Sequence, residues 1–151
     1  MFALEPFADG WRAHIDTSNG TRSIHTPLLV GADGTHSFVR ARLGIEAEHH
    51  DYRQSLFVCT VTPEREHANR AFERFSDDGP IALLPLAERR CGLVLTVSAD
   101  EADAAAALDD AGFLDLAQRR FGWRLGRLTR PGKRHPYAIH RVAATQLVAP
   151  H

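Results

Sequence analysis

The chain has 151 residues, 44% of them hydrophobic and 25% charged. That length suits one domain of ordinary size, burying roughly 70% of its unfolded surface, and the composition excludes wholesale disorder and a collagen-like fibre. The formal charge of −1 excludes a chain that is strongly basic or acidic throughout.

In chain order, residues 11–16 alternate Trp, Ala and Ile with Arg, His and Asp, the period of a half-buried strand. Thr17-Ser18-Asn19-Gly20 is a turn signal, because Asn and Gly tolerate positive φ, and residues 22–25 are the expected return strand. Pro27-Leu28-Leu29-Val30 predicts a short buried strand that enters the tight turn Gly31-Ala32-Asp33-Gly34. Residues 37–43 have helical spacing, with Gly44 as the stop. Beyond residue 45, strands are expected at 55–62 and 71–75. Two apolar runs, 81–86 and 91–98, form a predicted hairpin. Asp100 is the predicted N-cap of an Ala-rich helix ending near Leu108. A second helix over 112–121 places Phe113, Leu116, Ala117 and Phe121 on one stripe, and a strand is expected around 137–139. This order gives an α+β fold, a largely antiparallel sheet with helices on one side, preceded by a hairpin and a strand-turn-helix.

Charge is unevenly placed. Residues 1–115 hold 10 basic and 19 acidic side chains, whereas 116–151 hold 8 basic and no acidic ones. The basic tail is suited to contact phosphates, an anionic membrane surface, or the acidic half of its own chain. Arginines interleaved with Phe121 and Trp123 are compatible with nucleic acid, but a pI near 6.7 argues against that partner. No apolar stretch approaches the about 20 residues of a membrane-spanning helix. The first ten residues lack a signal-peptide pattern, and two lone cysteines, Cys59 and Cys91, suit a reducing cytosol as buried small side chains. A cytoplasmic location is therefore expected. His49 and His50 are adjacent, which on a strand sends them to opposite faces, so no metal site is expected there.

The strongest chemical signal is the segment LLVGADGTHSFVR, residues 28–40. A strand delivering Gly31 and Gly34 to a turn lets backbone approach a ligand closely. Asp33 offers a carboxylate for ribose hydroxyls or turn amides, and the following helix start offers donors for a phosphate. Arg40 is placed to hold the turn or to reach a pyrophosphate. On residues alone, the same pattern also serves a plain Asp-Gly turn closed by an Asp33–Arg40 ion pair.

Gly31, Ala32, Asp33, Gly34, Ser37, Val39 and Arg40 match the aspartate-glycine fingerprint of the flavin-dependent aromatic hydroxylases, and the segment resembles that para-hydroxybenzoate hydroxylase-like family. Residues 71–86, AFERFSDDGPIALLPL, and 121–134, FGWRLGRLTRPGKR, are similar to the ubiquinone-biosynthesis hydroxylases within it, the 2-polyprenyl-6-methoxyphenol hydroxylase branch. The chain departs from that branch at Leu95, where relatives often place Trp, and at residues 135–139. The resemblance implies that residues 1–45 are part of an FAD-binding domain and 46–151 a substrate-binding domain. It also implies that Gly31, Asp33, Gly34 and Arg40 serve FAD and NAD(P)H, and that one face of the sheet covers the substrate. The implied activity is hydroxylation of a polyprenylated phenol with NAD(P)H and O2. Implied partners are that small molecule and other ubiquinone-biosynthesis proteins, with peripheral association at an inner membrane. No acid or base stands out as catalytic, and no Gly-x-Gly-x-x-Gly turn occurs in the chain, so the resemblance is to a central portion of such an enzyme, inactive alone. The alternative is a non-catalytic module that binds a lipid, an anion or a protein.

Overall fold

The computed structural model describes residues 2–150. They pack as two compact units, residues 2–50 with 141–150, and residues 51–140.

The first unit is built on a three-stranded antiparallel meander, β1 (Ala3–Phe7), β2 (Gly10–Thr17) and β3 (Gly20–Thr26), with β2 in the centre. The expected 11–16 strand and its return are β2 and β3. The turn between them is closed by Thr17 Oγ1 donating to Gly20 O at 2.7 Å, with Gly20 at φ +101°. β1 is an addition that the sequence does not announce, because Glu5 and Pro6 break its apolar pattern. Pro6 is tolerated because β1 lies at the sheet edge. A small core of Leu4, Ala13 and Val39, flanked by Trp11, Leu29, Phe38 and Leu43, holds helix α1 (Phe38–Arg42) to the meander. Arg42 Nε adds a bond to Leu4 O at 3.3 Å.

One expectation fails here. Residues 27–30 form no strand, and Leu28 and Val30 are each 73% exposed. A strand exists only through its ladder partners, and among the described residues no strand pairs with this segment.

The second unit is dominated by a sheet in which β5 (Phe72–Arg74), β6 (Ile81–Pro85), β7 (Cys91–Ser98), β4 (Ala47–Pro63) and β8 (Leu128–Thr129) lie in the order β5-β6-β7-β4-β8, with β9 (His135–Ala144) also pairing with β4. Helices α2 (Ala99–Ala107) and α3 (Asp110–Phe121) follow β7. Strand alternation divides this sheet into two faces, with Thr96 of β7 buried although it lies on the face away from the core. Phe57, Cys59 and Val61 of β4, Ile81 and Leu83 of β6, and Leu93, Leu95 and Val97 of β7 are buried with Ala105, Phe113, Ala117 and Phe121 of the helices. Each fully buried large apolar side chain contributes about 1.5–3 kcal/mol, and this layer is the main source of stability. Leu95 is wholly buried there, so the departure at this position falls in the core.

The helix ends refine the sequence reading. α2 starts at Ala99 with Ser98, not Asp100, as N-cap. Ser98 N and Oγ both donate to the Glu101 carboxylate, at 3.3 and 2.9 Å. Asp100 instead sits in the first turn, where a negative charge suits the helix dipole. α3 is capped by Asp109, which accepts from Gly112 N at 2.8 Å, and it ends at Gly122 with φ +86°. Arg134 fixes the junction of the two helices. It donates to Leu108 O at 2.8 Å and Asp109 O at 3.1 Å, and its guanidinium lies 4.9 Å from the Phe113 ring centre.

Candidate functional site

The fingerprint turn owes its shape to one carboxylate. Asp33 accepts from Ser37 Oγ in a very short hydrogen bond and from Val39 N at 3.1 Å. Ser37 Oγ accepts in turn from Arg40 N at 3.0 Å, and Ser37 N donates to Gly34 O at 3.1 Å. Gly34 takes φ +83°, a conformation glycine adopts without strain. A side chain on Gly34 would meet nothing, whereas one on Gly31 would press on Val39 Cβ at 3.1 Å. Gly31 is thus small because α1 packs against it, and Gly34 because the backbone turns.

Two details differ from the sequence reading. The first amides of α1 are used internally, by Asp33 and Ser37, so they are not open donors for a phosphate. Arg40 pairs with no carboxylate among the described residues, and its Nη2 donates to Thr35 O at 2.8 Å. Ser37, buried and central to the network, was legible as a motif position and carried no assigned role.

Hydrogen bonding holds the Asp33 carboxyl below its ordinary value of 3.8, with Ser37 as the larger cause and the Val39 amide next. A carboxyl lowered by folding adds stability above its unfolded value and loses it as pH falls through the folded one. The α1 turn is therefore expected to loosen only below about pH 3.8. Asp33→Asn removes that acid dependence, readable as a flat profile against pH of the Val39 amide protection factor, the unstructured-peptide rate divided by the observed one. A Val39 profile that still falls in the variant contradicts the assignment.

Gly31, Gly34, Ser37 and Arg40 line one side of a cleft of about 430 Å³ within the first unit, with Trp11, Leu29, Leu43, Ile45 and Val142 on its apolar walls. Asp33 does not line it; it shapes the turn from behind. The cleft therefore combines a cation and small glycines with apolar walls, a donor set that fits a phosphate-bearing, ring-containing cofactor.

In the second unit, the sheet face opposite the helices carries Leu56, Val58, Ala82, Leu84 and Val94, none of them buried. The register aligns Val58, Val94 and Ala82 across three strands, giving an apolar patch. The thiols lie elsewhere. Burial raises the Cys59 and Cys91 thiols above their usual range, with Arg134 and Arg90 partly offsetting it at Cys59. Both are free and buried, which makes them poor nucleophiles at neutral pH. His49 and His50 are exposed on β4. Among the described residues no group of three or more His, Cys, Asp or Glu is placed to hold a metal ion, and no helix is long and apolar enough to cross a membrane.

The fold is that of the flavin-dependent aromatic hydroxylases. A ternary complex of aklavinone-11 hydroxylase with FAD and aklavinone superposes over 96% of this chain and 29% of its own, with a TM-score of 0.69 and 15% identity. The flavin-dependent monooxygenase PieE, in complex with FAD and substrate, covers 97% and 27% with a TM-score of 0.67 and 18% identity. Residues 4–147 match the FAD binding domain family, and the chain belongs to it. Ubiquinone hydroxylase UbiL of Rhodospirillum rubrum is 36% identical over 148 residues, 98% of this chain and 34% of that protein. The human mitochondrial ubiquinone biosynthesis monooxygenase COQ6 is 38% identical over 119 residues, 77% of this chain and 25% of its own. The chain thus spans about a third or less of the length of these curated relatives.

Proposed function

We propose that this chain is the central part of an FAD-dependent monooxygenase that uses NAD(P)H and O2 to hydroxylate a polyprenylated phenol in ubiquinone biosynthesis. The observation that carries the reading is the match along residues 4–147 together with relatives named for ubiquinone hydroxylation. Residues 1–45 supply a piece of the FAD-binding domain, and the 46–151 stretch supplies the substrate-binding domain through its sheet. In that arrangement Arg40 offers positive charge to a cofactor phosphate, Gly31 lets α1 pack closely and Gly34 lets the backbone turn so that both line the cofactor cleft, and Asp33 with Ser37 positions the turn. The apolar patch of Leu56, Val58, Ala82, Leu84 and Val94 shields the ring and its prenyl tail from water. FAD, when bound, supplies the redox chemistry, taking two electrons from NAD(P)H and activating O2. The exposed 27–30 segment, apolar yet unpaired, fits a strand whose partners belong to the rest of such a domain. A polyprenylated phenol dissolves in a bilayer, so the enzyme works as a peripheral protein at a membrane surface, alongside other proteins of the pathway.

The test is to purify the full-length protein containing this chain and record its visible spectrum, then NAD(P)H consumption and product mass with a short-chain prenyl phenol. Bound flavin and phenol-dependent hydroxylation are expected, and the 151-residue chain alone is expected to be colourless. A colourless full-length protein that consumes no NAD(P)H with added FAD overturns the reading.

A further inference from the structure

Five of the eight basic residues beyond position 115 form two groups in the folded chain. Arg120 and Arg134 are held against backbone carbonyls and reach Asp78 and Asp110 at 3.7 and 3.4 Å. Arg119, Arg127 and Arg130 make no side-chain hydrogen bond and no ion pair among the described residues. These three converge on one cleft of about 570 Å³ in the second unit, beside Leu114 and Trp123, with Asp115 the sole carboxylate on its wall.

Trp123 is 62% exposed, and the loop that carries it is not loose. Gly122 and Gly126 turn it at φ +86° and +70°. Gln118 Nε2 donates to both of their carbonyls, at 2.8 and 3.2 Å, and Gly126 N donates to Trp123 O at 3.0 Å. A large aromatic side chain is thus presented to solvent on a hydrogen-bonded platform instead of being folded into the core. Arginines beside an exposed indole match the two layers of a membrane surface, with guanidinium on phosphate and the ring at the headgroup level.

We infer that the Arg119–Arg127–Arg130 cleft with Trp123 is a docking surface for a membrane containing anionic phospholipid. The occupant rests on the hydroxylase reading, since a bilayer-dissolved substrate gives such a surface its use. Charge complementarity favours it, because among the described residues three arginines line this cleft against one carboxylate, Asp115, with Glu64 and Glu88 on the adjoining cleft that Arg127 and Arg130 also line. Each arginine near an anionic surface contributes about 1 kcal/mol, so three together give on the order of a hundredfold gain in partitioning.

The experiment is flotation of the 151-residue chain with vesicles of phosphatidylcholine alone and of phosphatidylcholine mixed with phosphatidylglycerol. Binding only to the mixed vesicles, weakened by salt, is expected. The double variant Arg119→Glu/Arg130→Glu is expected to lose at least about tenfold, while Arg22→Glu/Arg53→Glu, which changes net charge equally, stays within about twofold. Circular dichroism checks that each variant folds, and Arg119→Gln/Arg130→Gln replaces the reversal if it does not. A blue shift of indole emission on binding is expected in the wild type and absent in Trp123→Phe. Equal loss in the two charge-reversed doubles, or no binding to mixed vesicles, overturns the inference. So does an oligonucleotide that binds as tightly through Arg119 and Arg130, which would assign the cleft to nucleic acid. The assay contains no flavin or phenol, so its failure leaves the hydroxylase reading standing, and a colourless full-length protein leaves the vesicle result standing.

Discussion

Gln118→Met is expected to lower the unfolding free energy of the sheet unit by about 3 kcal/mol. Gln118 is buried on α3 and satisfies three backbone groups at once. Its Nε2 donates to Gly122 O at 2.8 Å and Gly126 O at 3.2 Å, and its Oε1 accepts from Leu128 N at 2.8 Å. Methionine fills a similar volume with no donor or acceptor, so packing is kept and three polar groups lose their partner. A net hydrogen bond is worth about 1 kcal/mol and a buried orphan costs about 1–3. Water reaching the half-buried Gly122 holds the total near the lower part of that range. The expected readout is a lower urea midpoint with an unchanged slope. A midpoint that moves by less than the equivalent of about 1 kcal/mol would show that the 122–128 loop holds its own shape.

The residues that sequence reading located best are those whose role is set by their neighbours in the chain. Alternation over 91–98 marks a strand because side chains two apart share a face, and Leu93, Leu95 and Val97 are indeed buried together. The Asp33 turn was legible for the same reason, since its partners Ser37 and Val39 lie four and six residues away. Arg120 and Arg134 were not legible. Arg120 reaches the carbonyls of Asp78 and Thr96, and Arg134 reaches Leu108, partners 24 to 42 residues distant. No local pattern encodes such reach, and a buried arginine looks like any surface one. The 27–30 segment shows the opposite failure. Its apolar pattern is that of a strand, but pairing is a property of a neighbour, and none lies beside it among the described residues.

Arg120→Met is expected to cost about 3 kcal/mol, and the loss comes from carbonyls and not from the ion pair. The Arg120 side chain is only 10% exposed, while its partner Asp78 is 67% exposed and sits 3.7 Å from Nε, an ion-pair distance too long for a hydrogen bond. An exposed pair of that kind contributes about 0–1 kcal/mol, so Asp78→Asn is expected to change stability by less than about 0.5 kcal/mol. By contrast, Nη2 donates to Asp78 O in a very short bond, to Thr96 O at 3.0 Å and to Gly79 O at 3.3 Å. This one guanidinium clamps the 76–80 turn to β7, beside the Thr96 N to Pro80 O bond of 3.1 Å. Arg120→Lys is expected to recover less than half of the loss, because all three bonds come from the terminal Nη2 and the shorter lysine side chain does not carry its ammonium as far as that position. Equal destabilisation by Asp78→Asn and Arg120→Met would put the stabilisation in the ion pair and refute the clamp. The clamped turn leads directly into β6, whose Ala82 and Leu84 belong to the apolar patch proposed to cover the substrate. On the proposed hydroxylase reading, Arg120→Met in the full-length protein is therefore expected to raise KM for the prenyl phenol by several-fold while flavin content stays at the wild-type level. A fall in bound flavin with KM unchanged would place the clamp on the cofactor side instead.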